Sequence, residues 1–206
     1  MEKKIARLIS YLFHPLLMPT YGIFLVFQLN TYLTFQYTPH ARRFFYLLIF
    51  TFTFLAPLLI ALYLLRQNYI SSLHIPNRKE RWLPFLFTTM FYLFTYYLLN
   101  EINAASIFDA MIFGAALSVI VALIITFFWK ISIHMVGIGG LVGIIYALTQ
   151  FMAPDAHLFI AGLLLIAGLV GFSRVSLHAH SLNQVIAGFV TGAICTYFPL
   201  WIDLTY

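Results

Sequence analysis

Three short polar stretches interrupt an otherwise apolar chain, and their residue types could handle a phosphate. Ser173–Gln184 reads SRVSLHAHSLNQ, Lys130–Gly137 reads KISIHMVG, and His74–Pro84 reads HIPNRKERWLP. Arg174 offers a planar fork of donors that matches phosphate oxygens. His134 and His180 carry imidazoles, which titrate near neutrality and suit both a nucleophile and a proton donor. Ser132 falls where an apolar run begins, so it can cap a helix whose free N–H groups favour an anion. His180 and Gln184 are four residues apart, share a helix face, and can hydrogen-bond. The amide oxygen of Gln184 can accept the imidazole N–H, but it carries no charge to stabilise an imidazolium. The amide can also flip and present its NH2 group, which favours the wrong tautomer. Basic side chains alone can stabilise developing phosphoryl charge, so the chemistry needs no cofactor. His134, His178 and His180 could be read as metal ligands, but carboxylates to complete a shell are missing, so no metal is expected.

The elements that position these residues are membrane spans. The chain is 63% hydrophobic and 8% charged, against about 25% charged residues in a soluble domain. The expected fold is all-α, a polytopic transmembrane helical bundle of six or seven spans, with residues 1–206 as a single integral membrane domain. Candidate spans are Leu16–Tyr37, Phe44–Leu65, Trp82–Leu99, Ile107–Phe128, Met135–Met152, His157–Phe172 and Val185–Ile202. The first contains Pro19, Gln28 and Asn30, hence six or seven. Lys3–Phe13 before it reads as an interfacial stretch with Lys3, Lys4 and Arg7 on its polar face. Two spans separate the first polar stretch from the second, and two more separate the second from the third. An even number of crossings returns the chain to the same face, so all three can converge. Gly139 with Gly143, and Gly188 with Gly192, form small-xxx-small pairs that let helices approach closely. Arg42, Arg43, His14, His40 and Lys130 read as interfacial anchors, and Asp109 as a solvated span-end residue. Arg78 and Lys79 read equally as topogenic charges or as anion ligands.

The third stretch resembles the Ser-Arg-x5-His-x3-Asp motif of the type 2 phosphatidic acid phosphatase superfamily, through Ser173, Arg174 and His180. The second resembles that superfamily's Pro-Ser-Gly-His motif: Ser132 and His134 match, while Ile131 and Ile133 replace the proline and glycine. The first family motif, Lys-x6-Arg-Pro, is approximated by the stretch holding Arg78, Lys79, Arg81 and Pro84. With Arg81 as its arginine, the lysine position falls on His74 and the proline position on Trp82. Gln184 stands where the family has aspartate. The resemblance covers roughly residues 74 to 190. It implies that His180 attacks phosphorus to form a phosphohistidine and that His134 protonates the departing oxygen. It also implies that Arg174 and Ser132 hold the phosphate, with Arg81 and Lys79 as further ligands.

The expected function is hydrolysis of a lipid phosphate or a polyprenyl phosphate or diphosphate. The alternative is a non-catalytic relative that binds or moves an anionic lipid, favoured by Gln184. The expected partners are a phosphorylated or anionic lipid and the membrane. The net charge of +5 is too small and scattered for nucleic acid. The single Cys195 can form no intramolecular disulfide. With seven spans, Arg42 and Arg43 lie on one side and the other nine of the 11 Lys and Arg lie with the motifs. Positive-inside then puts the motifs in the cytoplasm, whereas the resemblance implies an exoplasmic site in a bacterial-type inner membrane. The exoplasmic side is favoured, because many of the nine look functional rather than topogenic.

Overall fold

The computed structural model describes residues 2–29, 31–153 and 155–206, and among these every regular element is helical. The helices are α1 Glu2–Leu12, α2 Met18–Val26, α3 Tyr32–Gln36, α4 Pro39–Phe50, α5 Ala56–Arg66, α6 Trp82–Glu101, α7 Ser106–Phe128, α8 Ile133–Phe151, α9 His157–Ser176 and α10 Leu182–Thr205. Among the described residues seven helical stretches are long and apolar enough, by length and composition, to cross a membrane, from Glu2–Val26 to Leu182–Thr205. The chain is therefore a polytopic membrane bundle. Several hydroxyls inside the spans bond back to their own helices: Thr88 to Pro84 O, Thr95 to Phe91 O, Ser118 to Gly114 O and Thr126 to Ala122 O. That removes polar groups from contact with lipid, which cannot satisfy them.

The N-terminal stretch divides in two. α1 stays at the end where the polar stretches meet: Tyr11 OH reaches His74 Nε2 (3.4 Å), and Ile5, Ala6 and Ile9 surround Phe172 and Ser173. A 3-10 turn, Pro15–Leu17, starts the descent. Helix α2 then runs down α8, with Gly137 against Met18 and Pro15, and Gly22 against Leu141 and Ile144. Pro19 sits in the first turn of α2, where it sacrifices no helical hydrogen bond. By Tyr37, whose hydroxyl accepts from Ala105 N–H (2.9 Å), the chain has reached the opposite end. The crossing expected over Leu16–Tyr37 is thus made by α2 and α3, with α1 outside it. Arg42 does more than anchor: it donates to the carbonyls of Thr34 and Tyr37 and lies 5.6 Å over the Phe27 ring.

Between α4 and α5, Thr51–Leu55 forms a π turn in which Ala56 N–H donates to Thr51 O. Pro57 follows it in the first turn of α5. Proline has no N–H to give the carbonyl four residues back, so the ladder slips there by one residue.

Helix α8 is the centre of the bundle. Its span window is 72% buried, whereas no other span exceeds 44%. Its closest neighbour is α10, parallel to it. A Cβ on Gly188 would lie 2.6 Å from Ser132 O, and those on Gly139, Gly143 and Gly192 would collide with the backbone of Phe189, Ala193 and Val136. Both glycine pairs therefore serve one interface, with backbone on backbone. Gly192→Ala is expected to destabilise the fold by about 3 kcal/mol or more, because the obstacle is main chain that cannot rotate away. Gly168→Ala, on α9 with nothing within 4 Å, is expected to be neutral or to stabilise by about 0.5–1 kcal/mol. Unfolding midpoints of the two variants in the same detergent check this, and equal midpoints would contradict the packing.

The three polar stretches meet at one end of the bundle. Arg81 Nη1 donates to Ile131 O (3.1 Å), Arg78 donates to Phe128 O, and Ser132 N–H donates to Gln184 O (3.3 Å). In a Cys195→Ser background, single cysteines at the exposed positions Asn77, Trp129 and Asn183 are expected to react with a membrane-impermeant thiol reagent from one side. A cysteine at His40 is expected to react from the other. A split among the first three would refute the arrangement.

Candidate active site

The five-residue gap between Arg174 and His180 is a helix stop. Helix α9 ends in a Schellman-type turn: His178 N–H donates to Val175 O (2.9 Å) and Ala179 N–H to Arg174 O (3.1 Å). His178 takes the left-handed position, with φ 52°. Glycine usually fills that position, because a side chain there is strained. The turn folds the chain back so that His180 N–H also donates to Arg174 O, at 3.3 Å. The backbones that carry the guanidinium and the imidazole are thereby joined through the Arg174 carbonyl. Ser173 takes no part, since its hydroxyl bonds back to Leu169 O.

Gln184 fixes the state of His180. Its Oε1 lies 3.0 Å from His180 Nδ1 and accepts the Ser181 backbone N–H at 3.3 Å. A backbone N–H can only donate, so the group facing it must be the amide oxygen. The same oxygen faces the ring, so Nδ1 carries the proton and Nε2 keeps its lone pair. The flip expected of an amide is opposed by the contact that starts α10. Burial lowers the His180 pKa to about 3; Gln184 raises it, while Arg81, Arg174 and Lys130 lower it. The ring is neutral near pH 7, the form able to attack.

Around this ring the cations converge without a carboxylate among their hydrogen-bond partners. Arg81 is 5% exposed and donates to Ile75 O (3.0 Å) and Ile131 O. Ile75 is itself strained, with φ 41° at a β-branched residue. Arg174, 8% exposed, donates through Nη1 to Ser10 Oγ (3.2 Å), while its Nε has no partner among the described residues. Ser132 occupies the N-cap of α8, but its hydroxyl makes no capping bond and is buried without a partner among the described residues. Lys130 lines the same cavity, and burial, Arg81 and Arg174 push its pKa below the usual lysine value. Its reading as a plain anchor is therefore replaced by a place in the cationic cluster. Buried unpaired donors are costly; an anion's oxygens could satisfy Arg174, which lines the cavity, whereas Ser132 is fully buried and does not line it.

Two contributors lie in the N-terminal stretch. The Ser10 carbonyl is 3.1 Å from His134 Nε2, which must carry a proton to use it. His14, expected as an anchor, packs edge-on against His134 with ring centroids 5.8 Å apart, and its Nδ1 accepts from Leu16 N–H (3.4 Å). Neither residue was marked by spacing, because they belong to none of the three stretches. His134, His180, Arg81 and Arg174 all line one cavity of about 790 Å³. Lys79 does not line it: that side chain is exposed beside the 3-10 turn Arg78–Glu80. Among the described residues no cluster of three or more His, Cys, Asp or Glu is placed to hold a metal.

Arg174→Ala is expected to weaken binding of phosphate or vanadate by roughly 1.5–3 kcal/mol, the scale of a hydrogen bond to a charged group. Lys79→Ala is expected to leave it unchanged. Calorimetric titration of the purified variants checks both, and an unaffected Arg174→Ala would remove the anion site. Comparison with protein-family models, with curated proteins and with solved structures gives no match.

Proposed function

We propose that this membrane protein is a phosphatase of lipid phosphates or polyprenyl diphosphates that works through a phosphohistidine on His180. The observation that carries the reading is the meeting, in one cavity, of a neutral His180, its Nε2 left free by Gln184, with Arg174, whose Nε has no partner among the described residues. In the proposed reaction the phosphoryl group sits between Arg174, Arg81 and Lys130, which line the cavity with His180. The Nε2 lone pair forms the N–P bond as the P–O bond to the lipid breaks. His134, protonated, supplies the proton that the leaving oxygen takes. Water then attacks the phosphohistidine, gives a proton back to His134, and releases inorganic phosphate and His180. The basic side chains stabilise charge on the equatorial oxygens throughout.

Binding of an anionic lipid without turnover is the second reading, and two contacts favour it. Gln184 offers no charge to the phosphohistidine, and the Ser10 carbonyl occupies the Nε2 proton of His134. Phosphate release from a panel of lipid phosphates separates the readings. Wild-type turnover is expected to vanish in His180→Ala. Gln184→Glu keeps the reach to Ser181 and His180 and adds a charge. It is expected to raise the rate about tenfold, the difference between a neutral and a charge-assisted hydrogen bond. Turnover that survives His180→Ala would end the phosphohistidine reading. Phosphate binding with no turnover in either wild type or Gln184→Glu would leave the binder.

A further inference from the structure

The cavity does not stop at the polar residues. From His180 and Arg174 it continues between α5, α6, α7, α8 and α10, and its inner wall includes Phe85, Met111, Val119, Leu141 and Ile144. We propose that this inner part holds the hydrocarbon chain of the substrate inside the bundle rather than in the surrounding bilayer, and that Met111, Leu141 and Ile144 form a floor limiting chain length. The proposal rests on the head-group reading above and adds to it where the chain goes.

Three features support an apolar chain as occupant. Three hydroxyls along the wall are bonded to helix carbonyls: Thr88 to Pro84 O, Ser118 to Gly114 O and Thr196 to Gly140 O. Tyr92 brings one more hydroxyl to the wall, and a single such group falls short of the two to four polar partners that hold a water. The charge lies at one end only, so an occupant with one anionic end and one apolar end matches the cavity along its length. Its depth also fits: Ile133 at the site and Ile144 at the floor are separated by roughly 16 Å at 1.5 Å per residue. The volume of about 790 Å³ lies within the range of ligand cavities, about 300–1,000 Å³. Helix α2 closes the side of α8, where Gly22 meets Met111, Leu141 and Ile144.

The test uses the full chain in lipid nanodiscs and an alkyl phosphate with a photoreactive diazirine at the end of its tail. Adducts are expected on Met111, Leu141 or Ile144, and are expected to be lost in Ala115→Phe, which fills the inner cavity. Adducts on lipid-facing residues such as Leu86 or Leu165 would overturn the proposal. Because Ala115→Phe could disturb folding, the wild-type adduct map decides the matter without it, and Ala61→Phe blocks the cavity from the α5 side as an independent variant. Excess inorganic phosphate separates the two levels of inference. Floor adducts suppressed by phosphate support both. Floor adducts indifferent to phosphate uphold the chain site and refute the head-group site. Lipid-facing adducts suppressed by phosphate do the reverse.

Discussion

The close approach of α8 and α10 is the constraint on which everything else depends. Four glycines remove the side chains that would hold these backbones apart, and Ser132 N–H then reaches Gln184 O. That bond ties the start of α8 to the first turn of α10. One carries Ser132 and His134, and the other carries the partner of His180. In a membrane there is no hydrophobic force to press helices together, so contact must come from packing and from hydrogen bonds. Here both act at the same interface. A larger residue at Gly188 would press on Ser132 O, and so would disturb the first turn of α8 as well as the packing of α10.

The cationic end raises the opposite problem. Arg81 and Arg174 are nearly buried, and a guanidinium does not lose its proton in a protein. Carbonyl oxygens of Ile75 and Ile131, with the hydroxyl of Ser10, take up some of their donors. The Ser10 carbonyl does the same for His134. Through Ser10, α1 thus supplies neutral oxygens to buried basic side chains of α8 and α9.

Much of this was legible in the sequence, for physical reasons. Long apolar runs specify spans because lipid tolerates nothing else, and counting crossings places the polar stretches together. Arg174, His180 and Gln184 stood out by residue type and by the resemblance of their spacing to a family motif; that the five-residue gap is a helix stop became visible only in the fold. Ser10 did not, since a lone serine in an amphipathic stretch carries no pattern. His14 and Lys130 were mistaken for anchors because a charge at a span end has the same signature whether it faces headgroups or a cavity. Lys79 shows the converse: next to Arg78 and Arg81 in sequence, it is exposed on a tight turn. The orientation of the Gln184 amide was also beyond reach, because it depends on a backbone N–H whose direction only the fold defines.

The π turn at Thr51–Leu55 has a consequence for how its span is phased. One extra residue in a turn shifts everything after it by about 100° around the helix axis. No single helical wheel can therefore describe Pro39–Arg66: the stripe facing inward on α4 and the one facing inward on α5 belong to different registers. Phe54 sits on the seam, 6.4 Å from the His14 ring, while Pro57, Leu58 and Ala61 beyond it face the cavity. Phe45, Ile49, Thr53 and Pro57 are buried at a constant step of four, which in an unbroken α-helix would drift around the axis; the wider turn absorbs that drift and leaves α5 facing the cavity.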